Sequence, residues 1–233
     1  MAETDKKQGL PFTRRPLIYG RAKGKALSPR QQKLFAGVLP RVAVPQTKPL
    51  DPYTVFSCVC AVHLEIGFGG GEHLIARARQ NPDTGFIGCE PFLNGVAKTL
   101  AAIEEHDVGN VRLHHGDARD VLDRLETASL DRVYLLYPDP WPKTRQNKRR
   151  FVGADTLESL ARVIRPGGIL EIASDIPDYI VWTLREIAAD GHFTECAGND
   201  RATPPDAWPG TRYEAKALRE GRTPCYLEFA RRS

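Results

Sequence analysis

The chain has 233 residues, 41% of them hydrophobic and 27% charged, enough to bury one full core at a length that single α/β domains commonly reach. No apolar run approaches the roughly 20 residues that cross a bilayer, and the opening "MAETDKKQGLPF" lacks the apolar stretch of a secretory signal, so a soluble, cytoplasmic protein with no membrane partner is expected. The net charge of +4 is unevenly spread: residues 1–50 carry eleven Lys or Arg against only Glu3 and Asp5, an excess that favours a polyanionic partner, because each neutralised phosphate releases a condensed counterion.

In chain order, residues 1–13 read as a solvated, disordered basic tail. From "RRPLIYGRAKGKALSPRQQ" onward, apolar and aromatic side chains interleave with the cations, and Ser28–Pro29 has the form of a helix cap with a first-turn proline, as in an arm that docks. Cys58 and Cys60 are expected on one face of a buried strand; five cysteines without a C-x-x-C pair, and histidines without H-x-x-x-H spacing, suggest neither a disulfide framework nor a metal site. Strand-length apolar runs follow at 61–66, 85–89, 111–114, 130–137 and 168–173, alternating with helical periodicity near 72–80, 92–105, 118–126, 153–164 and 177–190. This alternation predicts a mostly parallel sheet covered on both faces. "HFTECAG" and "PCYLEFARR" then form an antiparallel closing hairpin, separated by a long polar stretch in which no helix is expected.

Ligands of such sheets bind beyond the carboxyl ends of the strands, where strand order reverses, so the loops after the strands carry the chemistry. After the first strand comes "LEIGFGGGEH", in which Gly67, Gly69, Gly70 and Gly71 let the backbone approach a ligand closely. Glu65, two residues before the first glycine, is a poor neighbour for a pyrophosphate and a good one for an ammonium group. Glu90 ends the second strand, where an acid accepts from both hydroxyls of a ribose, and Asp117 follows the third, within reach of an adenine amine. Three carboxylates on successive strand ends suit a cationic, ribose-containing ligand without phosphate. S-adenosylmethionine has that character and NAD does not. The fourth strand ends in "YPDPWPKTRQNKRR": Asp139 clamped between two prolines, then five cations in eight residues.

The order E-x-G-x-G-x-G, E, D resembles the class I S-adenosylmethionine-dependent methyltransferases, and "YPDPWPKTRQNKRR" with the downstream "SD" and "TRYE" is similar to the bacterial tRNA (guanine-N7-)-methyltransferases over most of the chain from about Arg14. The resemblance implies a Rossmann-like, seven-stranded domain over residues 51–233 behind a basic arm at 1–50. It implies transfer of a methyl group from S-adenosylmethionine to N7 of guanosine 46 in the tRNA variable loop, leaving S-adenosylhomocysteine. It also implies cofactor contacts from Glu65, Gly67, Gly69, Glu90, Asp117 and Asp139, with Asp139 catalytic. Substrate contacts fall on Lys143, Asp175, Thr211, Arg212, Tyr213 and Glu214, and RNA contacts on Arg145, Gln146, Asn147, Lys148, Arg149 and Arg150. Monomer and homodimer stay equally open.

In chemical terms, guanine N7 carries an unprotonated lone pair, so methylation needs alignment and tolerance of a positive charge rather than a general base. Glu214 and Asp175 are expected to accept from guanine's N1–H and N2–H edge, and Tyr213 or Trp141 to stack on the extruded base. Three rivals fit less well. An NAD-dependent oxidoreductase needs G-x-G-x-x-G, a small-molecule methyltransferase has no use for the cationic strip, and a non-catalytic RNA-binding protein has no use for Glu65 and Asp139.

Overall fold

The computed structural model describes residues 24–233; the expectation of a disordered tail at 1–13 lies outside the described residues. Ser28 caps helix α1 (Pro29–Gly37), its hydroxyl accepting from Gln31 N while the Gln31 side chain accepts from Ser28 N, which satisfies two otherwise orphaned donors at once. The short α2 (Leu39–Val42) follows. Leu34, Val38, Val42, Val44 and Leu50 from this stretch are all buried, and Val44 N donates to Leu113 O at 3.0 Å and Leu50 N to Arg124 O at 2.8 Å. The described part of the basic arm is therefore sewn onto the domain rather than loosely tethered.

The sheet comprises β1 (Ala61–Ile66), β2 (Thr84–Cys89), β3 (Val111–His114), β4 (Leu130–Leu136), β5 (Ile164–Ser174), β6 (Phe193–Glu195) and β7 (Cys225–Arg231). Between them run α3 (Glu72–Gln80), α4 (Leu93–His106), α5 (Ala118–Leu122), α6 (Ala154–Val163), α7 (Pro177–Asp190) and α8 (Arg212–Arg219). Strand order is β3-β2-β1-β4-β5-β7-β6, parallel except for β7, which is antiparallel to both β5 and β6. The expected parallel sheet and antiparallel closing hairpin are both present. One apolar layer packs Leu34, Leu74, Val96 and Leu100 from α1, α3 and α4 against one face of the sheet; the other packs Val121, Leu157, Leu160 and Ile187 from α5, α6 and α7 against the opposite face.

Several boundaries depart from the expected ones. α5 ends at Leu122 rather than near residue 126, and the chain then turns to bond Leu50 from Arg124 O and Glu126 N. β5 begins at Ile164, ahead of the exposed Arg165–Gly167 bend, and a register shift opposite Leu130 and Arg132 absorbs the extra length. The polar stretch before β7 does contain a helix, α8. Its inner face holds only Ala217 and the carboxylate of Glu214, too little apolar surface for a periodic signal. Cys58 and Cys60 are not on a strand: both are exposed and precede β1, so the expected buried strand face begins at Val62 instead.

Candidate active site

β1 is flanked by β2 on one side and β4 on the other, both parallel to it. The chain leaves β1 toward one side and reaches β4 on the other, which opens a crevice beyond their carboxyl ends. A cavity of about 540 Å³ occupies that crevice, within the range of small-ligand sites. Its walls take Gly67 and Gly69 from the loop after β1, Glu90 from the end of β2, Asp117 from the end of β3 and Asp139 from the turn after β4. Predicted residues from four strand ends thus share one space.

The glycine loop needs its glycines for two separate reasons. Gly67 and Gly69 take φ of +74° and +57°, a region that L side chains rarely enter. Across from it, a Cβ on Gly95 would stand 2.1 Å from Gly69 O, so α4 lies against the loop only because residue 95 is also glycine.

Glu90 is fixed by two backbone donors, Gly69 N at 2.6 Å and Phe92 N at 2.8 Å, one to each carboxylate oxygen. Each oxygen keeps a further lone pair for a hydroxyl in the cavity. Burial holds the carboxyl above its ordinary range, against the opposing pull of the two N–H groups. Asp117 caps α5 by accepting from Arg119 N at 3.0 Å, and the Arg119 guanidinium lies 3.1 Å from its second oxygen while stacking on the Phe151 ring.

The corner at Asp139 is bracketed by strained backbone: Tyr137 and Trp141 take φ of +50° and +42°, uncommon for aromatic side chains and concentrated at working sites. Between them Pro138 and Pro140 restrict the chain further. The Asp139 side chain opens onto the cavity, and partial desolvation by the cleft walls raises its carboxyl above the ordinary aspartate value. Trp141 lines the same space, with the Arg149 guanidinium 5.0 Å from its ring centroid.

Other predicted residues lie elsewhere. Glu65 is 4% exposed and absent from the cavity wall; its carboxylate meets His73 Nδ1 at 2.8 Å behind the loop. Glu214 corrects the expectation of a guanine-reading acid: it is buried, and its carboxylate accepts from Trp208 Nε1 at 2.7 Å, Thr211 N at 3.1 Å and the Tyr226 hydroxyl. Asp175 is engaged by Arg222 Nε and does not line the cavity. Arg150 corrects the expectation of a cationic strip in contact with RNA along its whole length. Its side chain is 1% exposed, donates to Pro140 O at 2.9 Å and to Asp178, and stacks on Trp182. Lys143, at the N-cap of the 3-10 segment Thr144–Arg149, and Arg145 and Lys148 within it remain exposed, with Gln146 and Asn147 half-buried between them.

A family model described as putative methyltransferase matches residues 60–227. A tRNA (guanine-N(7)-)-methyltransferase of Azorhizobium caulinodans is 50% identical over 217 residues, covering 92% of this chain and 94% of that protein. One of a Ruegeria species is 49% identical over 223 residues, covering 92% and 87%. The chain belongs to the tRNA (guanine-N7-)-methyltransferase family. Among solved structures, this methyltransferase superposes on the 16S rRNA methyltransferase KamB with a TM-score of 0.58 at 18% identity, over 78% of its chain and 92% of the other. An rRNA methylase from Streptococcus thermophilus gives 0.51 at 11% identity, over 77% and 91%. These distant matches concern the fold.

Reasoning from the sequence missed two residues of the methyltransferase's site. Arg119 enters the cavity wall; its signal is adjacency to Asp117, which any helix cap could share. Trp208 lies outside the cavity but holds its wall. Its ring packs on His73 at 5.1 Å and on Tyr226 at 5.4 Å, and its N–H holds Glu214. Through the Thr211–Glu214 capping box it thereby sets the start of α8, whose Arg212 and Tyr213 lie over Gly69, 3.4 and 3.5 Å from where a Cβ there would stand. Replacing Trp208 by Phe keeps an aromatic ring but removes the indole N–H and the pyrrole half that carries it, so that the lost hydrogen bond to a buried carboxylate alone costs about 1.5–3 kcal/mol. A lower chemical-denaturation midpoint at unchanged denaturant slope is the expected result; an unshifted midpoint would show that Glu214 is held without it.

Proposed function

We propose that this methyltransferase transfers the methyl group of S-adenosylmethionine to N7 of guanosine 46 in the variable loop of tRNA. The observation that carries this reading is that Asp139, on its strained corner, faces the same cavity as the glycine loop and Glu90, with Trp141 and Arg149 in that cavity's wall. The residues suit the donor. Three carboxylates face the space, Glu90 keeps acceptor capacity for ribose hydroxyls, and α4 approaches the loop too closely for side chains between them. When bound, S-adenosylmethionine supplies a methyl carbon bearing a sulfonium leaving group.

The chain's own residues have an orienting task. The guanine N7 lone pair forms the new N–C bond as the C–S electrons return to sulfur, no proton moves, and positive charge passes to the purine. The Asp139 carboxylate, locked between two prolines, stabilises that charge where it develops. Trp141 and Tyr213, both in the cavity wall, offer stacking faces for an extruded base. Exposed Lys143, Arg145 and Lys148 hold the flanking phosphates. Arg150 acts indirectly, by fixing the carbonyl of Pro140.

Incubating the enzyme with methyl-labelled donor and unmodified tRNA tests the assignment. N7-methylguanosine sites are then located by reduction and chain scission. A single cleavage in the variable loop is expected. Label at another atom or another loop would overturn the assignment.

A further inference from the structure

α8 begins at the cavity and runs away from it. Arg212 and Tyr213 line the cavity, while Glu214 and Ala217 anchor the helix from beneath. The remaining cations, Lys216 and Arg219, follow Arg212 at spacings of four and seven residues, which places all three side chains on one helical face. All three are exposed, and they span about 10 Å along the axis. Arg149, on the Thr144–Arg149 segment, stands in the wall of the same cavity. Basic side chains therefore leave the cavity along two separate elements.

We propose that the Arg212–Lys216–Arg219 face of α8 is a second phosphate track for the tRNA backbone, paired with the Lys143–Arg149 strip so that the chain on either side of the target nucleotide is gripped by a different element. The inference deepens the functional reading above and rests on it. The anchoring of α8 favours a binding role over a merely solvated face. The capping box and the three donors on Glu214 fix the helix, so its cations are pre-arranged and little freedom is lost on binding. Lys216 lies 3.9 Å from Glu220 and is 58% exposed, an exposed pair weak enough for a phosphate to displace.

The test compares Lys216→Ala with Arg219→Ala, made together, against a control of equal charge change at Arg79→Ala with Arg232→Ala. The control residues are exposed and lie at the opposite end of the sheet. Binding of unmodified tRNA is measured across a salt series, alongside calorimetric affinity for S-adenosylmethionine and methyl-transfer kinetics. The α8 variant should lower the magnitude of the salt slope by about 1.4, near 0.7 for each phosphate of single-stranded RNA that is no longer neutralised. It should also raise KM for tRNA roughly tenfold, with kcat and donor affinity unchanged and the control indistinguishable from the parent enzyme. A parental slope and KM in the α8 variant, or an equal effect in the control, would overturn the proposal. Should the parent bind tRNA but methylate no guanosine, the functional reading fails while the binding arm still decides the role of α8.

Discussion

Replacing Asp139 by Ala is expected to lower the rate of methyl transfer by at least about a hundredfold while leaving tRNA affinity within about twofold of the parent. The size follows from removing one pre-oriented group from the place where charge develops, which in comparable sites costs 10²–10³ in rate. Selectivity follows from position: Asp139 faces the cavity, whereas the exposed cations lie on the segment that follows it. The conservative Asn variant separates chemistry from folding. The cleft walls raise the Asp139 carboxyl above its ordinary value, so its contribution to stability is complete at low pH and is lost as pH rises through the folded-state pKa. Above that point the ionised carboxylate opposes folding of the ligand-free protein, and Asn removes the opposition. Thermal melts without ligand should therefore place Asp139→Asn at or above the parent at pH 7, with the two converging toward pH 3, although the variant's methyl transfer is slowed at least about a hundredfold. A ligand-free variant melting well below the parent at pH 7 would mean that the carboxylate has a structural partner, and the catalytic reading would lose its basis.

Arg150→Ala carries the second large effect and separates a clamp from a phosphate contact. The guanidinium is buried, holds Pro140 O and Asp178, and lies 4.9 Å from the Trp182 ring centroid and 5.7 Å from that of Tyr179. Its removal leaves a buried carbonyl unsatisfied and a gap beside two aromatic rings, a loss of roughly 2–4 kcal/mol. It also frees the Asp139 corner, so transfer should fall at least tenfold at temperatures where the variant is folded. The salt dependence of tRNA binding should stay at the parental slope. Arg145→Ala with Lys148→Ala should do the reverse, keeping stability and lowering the slope. If Arg150→Ala lowered the slope with no change in melting temperature, the guanidinium would be reaching phosphate, contrary to its place in the fold.

Much of the architecture was legible because it rests on periodicity. β1, β3, α3 and α7 occupy the spans expected from apolar spacing, since each must bury a regular face. The strand-end acids were legible for a related reason: a polar residue at or just beyond the carboxyl end of a buried strand faces the crevice, which is where Glu90, directly after β2, and Asp117, three residues after β3, stand. Glu65 breaks that logic because it lies within β1, one residue before the end, and so points to the sheet face where His73 awaits it. Arg150 and Glu214 were opaque for another reason. A charge run does not reveal which member turns inward, and an acid in T-x-x-E is equally a cap and a ligand until Trp208 and Tyr226, six residues before it and twelve after, fold onto it. α8 was hidden because its stability comes from that cap rather than from an apolar stripe.

The crevice at the β1–β4 switch is proposed to hold the methyl donor through Glu90 while cations at its rim hold RNA. Calorimetric titration with S-adenosylmethionine, for the parent chain and for Glu90→Gln, tests it most directly. One site per chain is predicted, displaced by S-adenosylhomocysteine, indifferent to NAD, and weakened at least tenfold by the substitution. Parental affinity in Glu90→Gln, or displacement by NAD, would place the donor somewhere else.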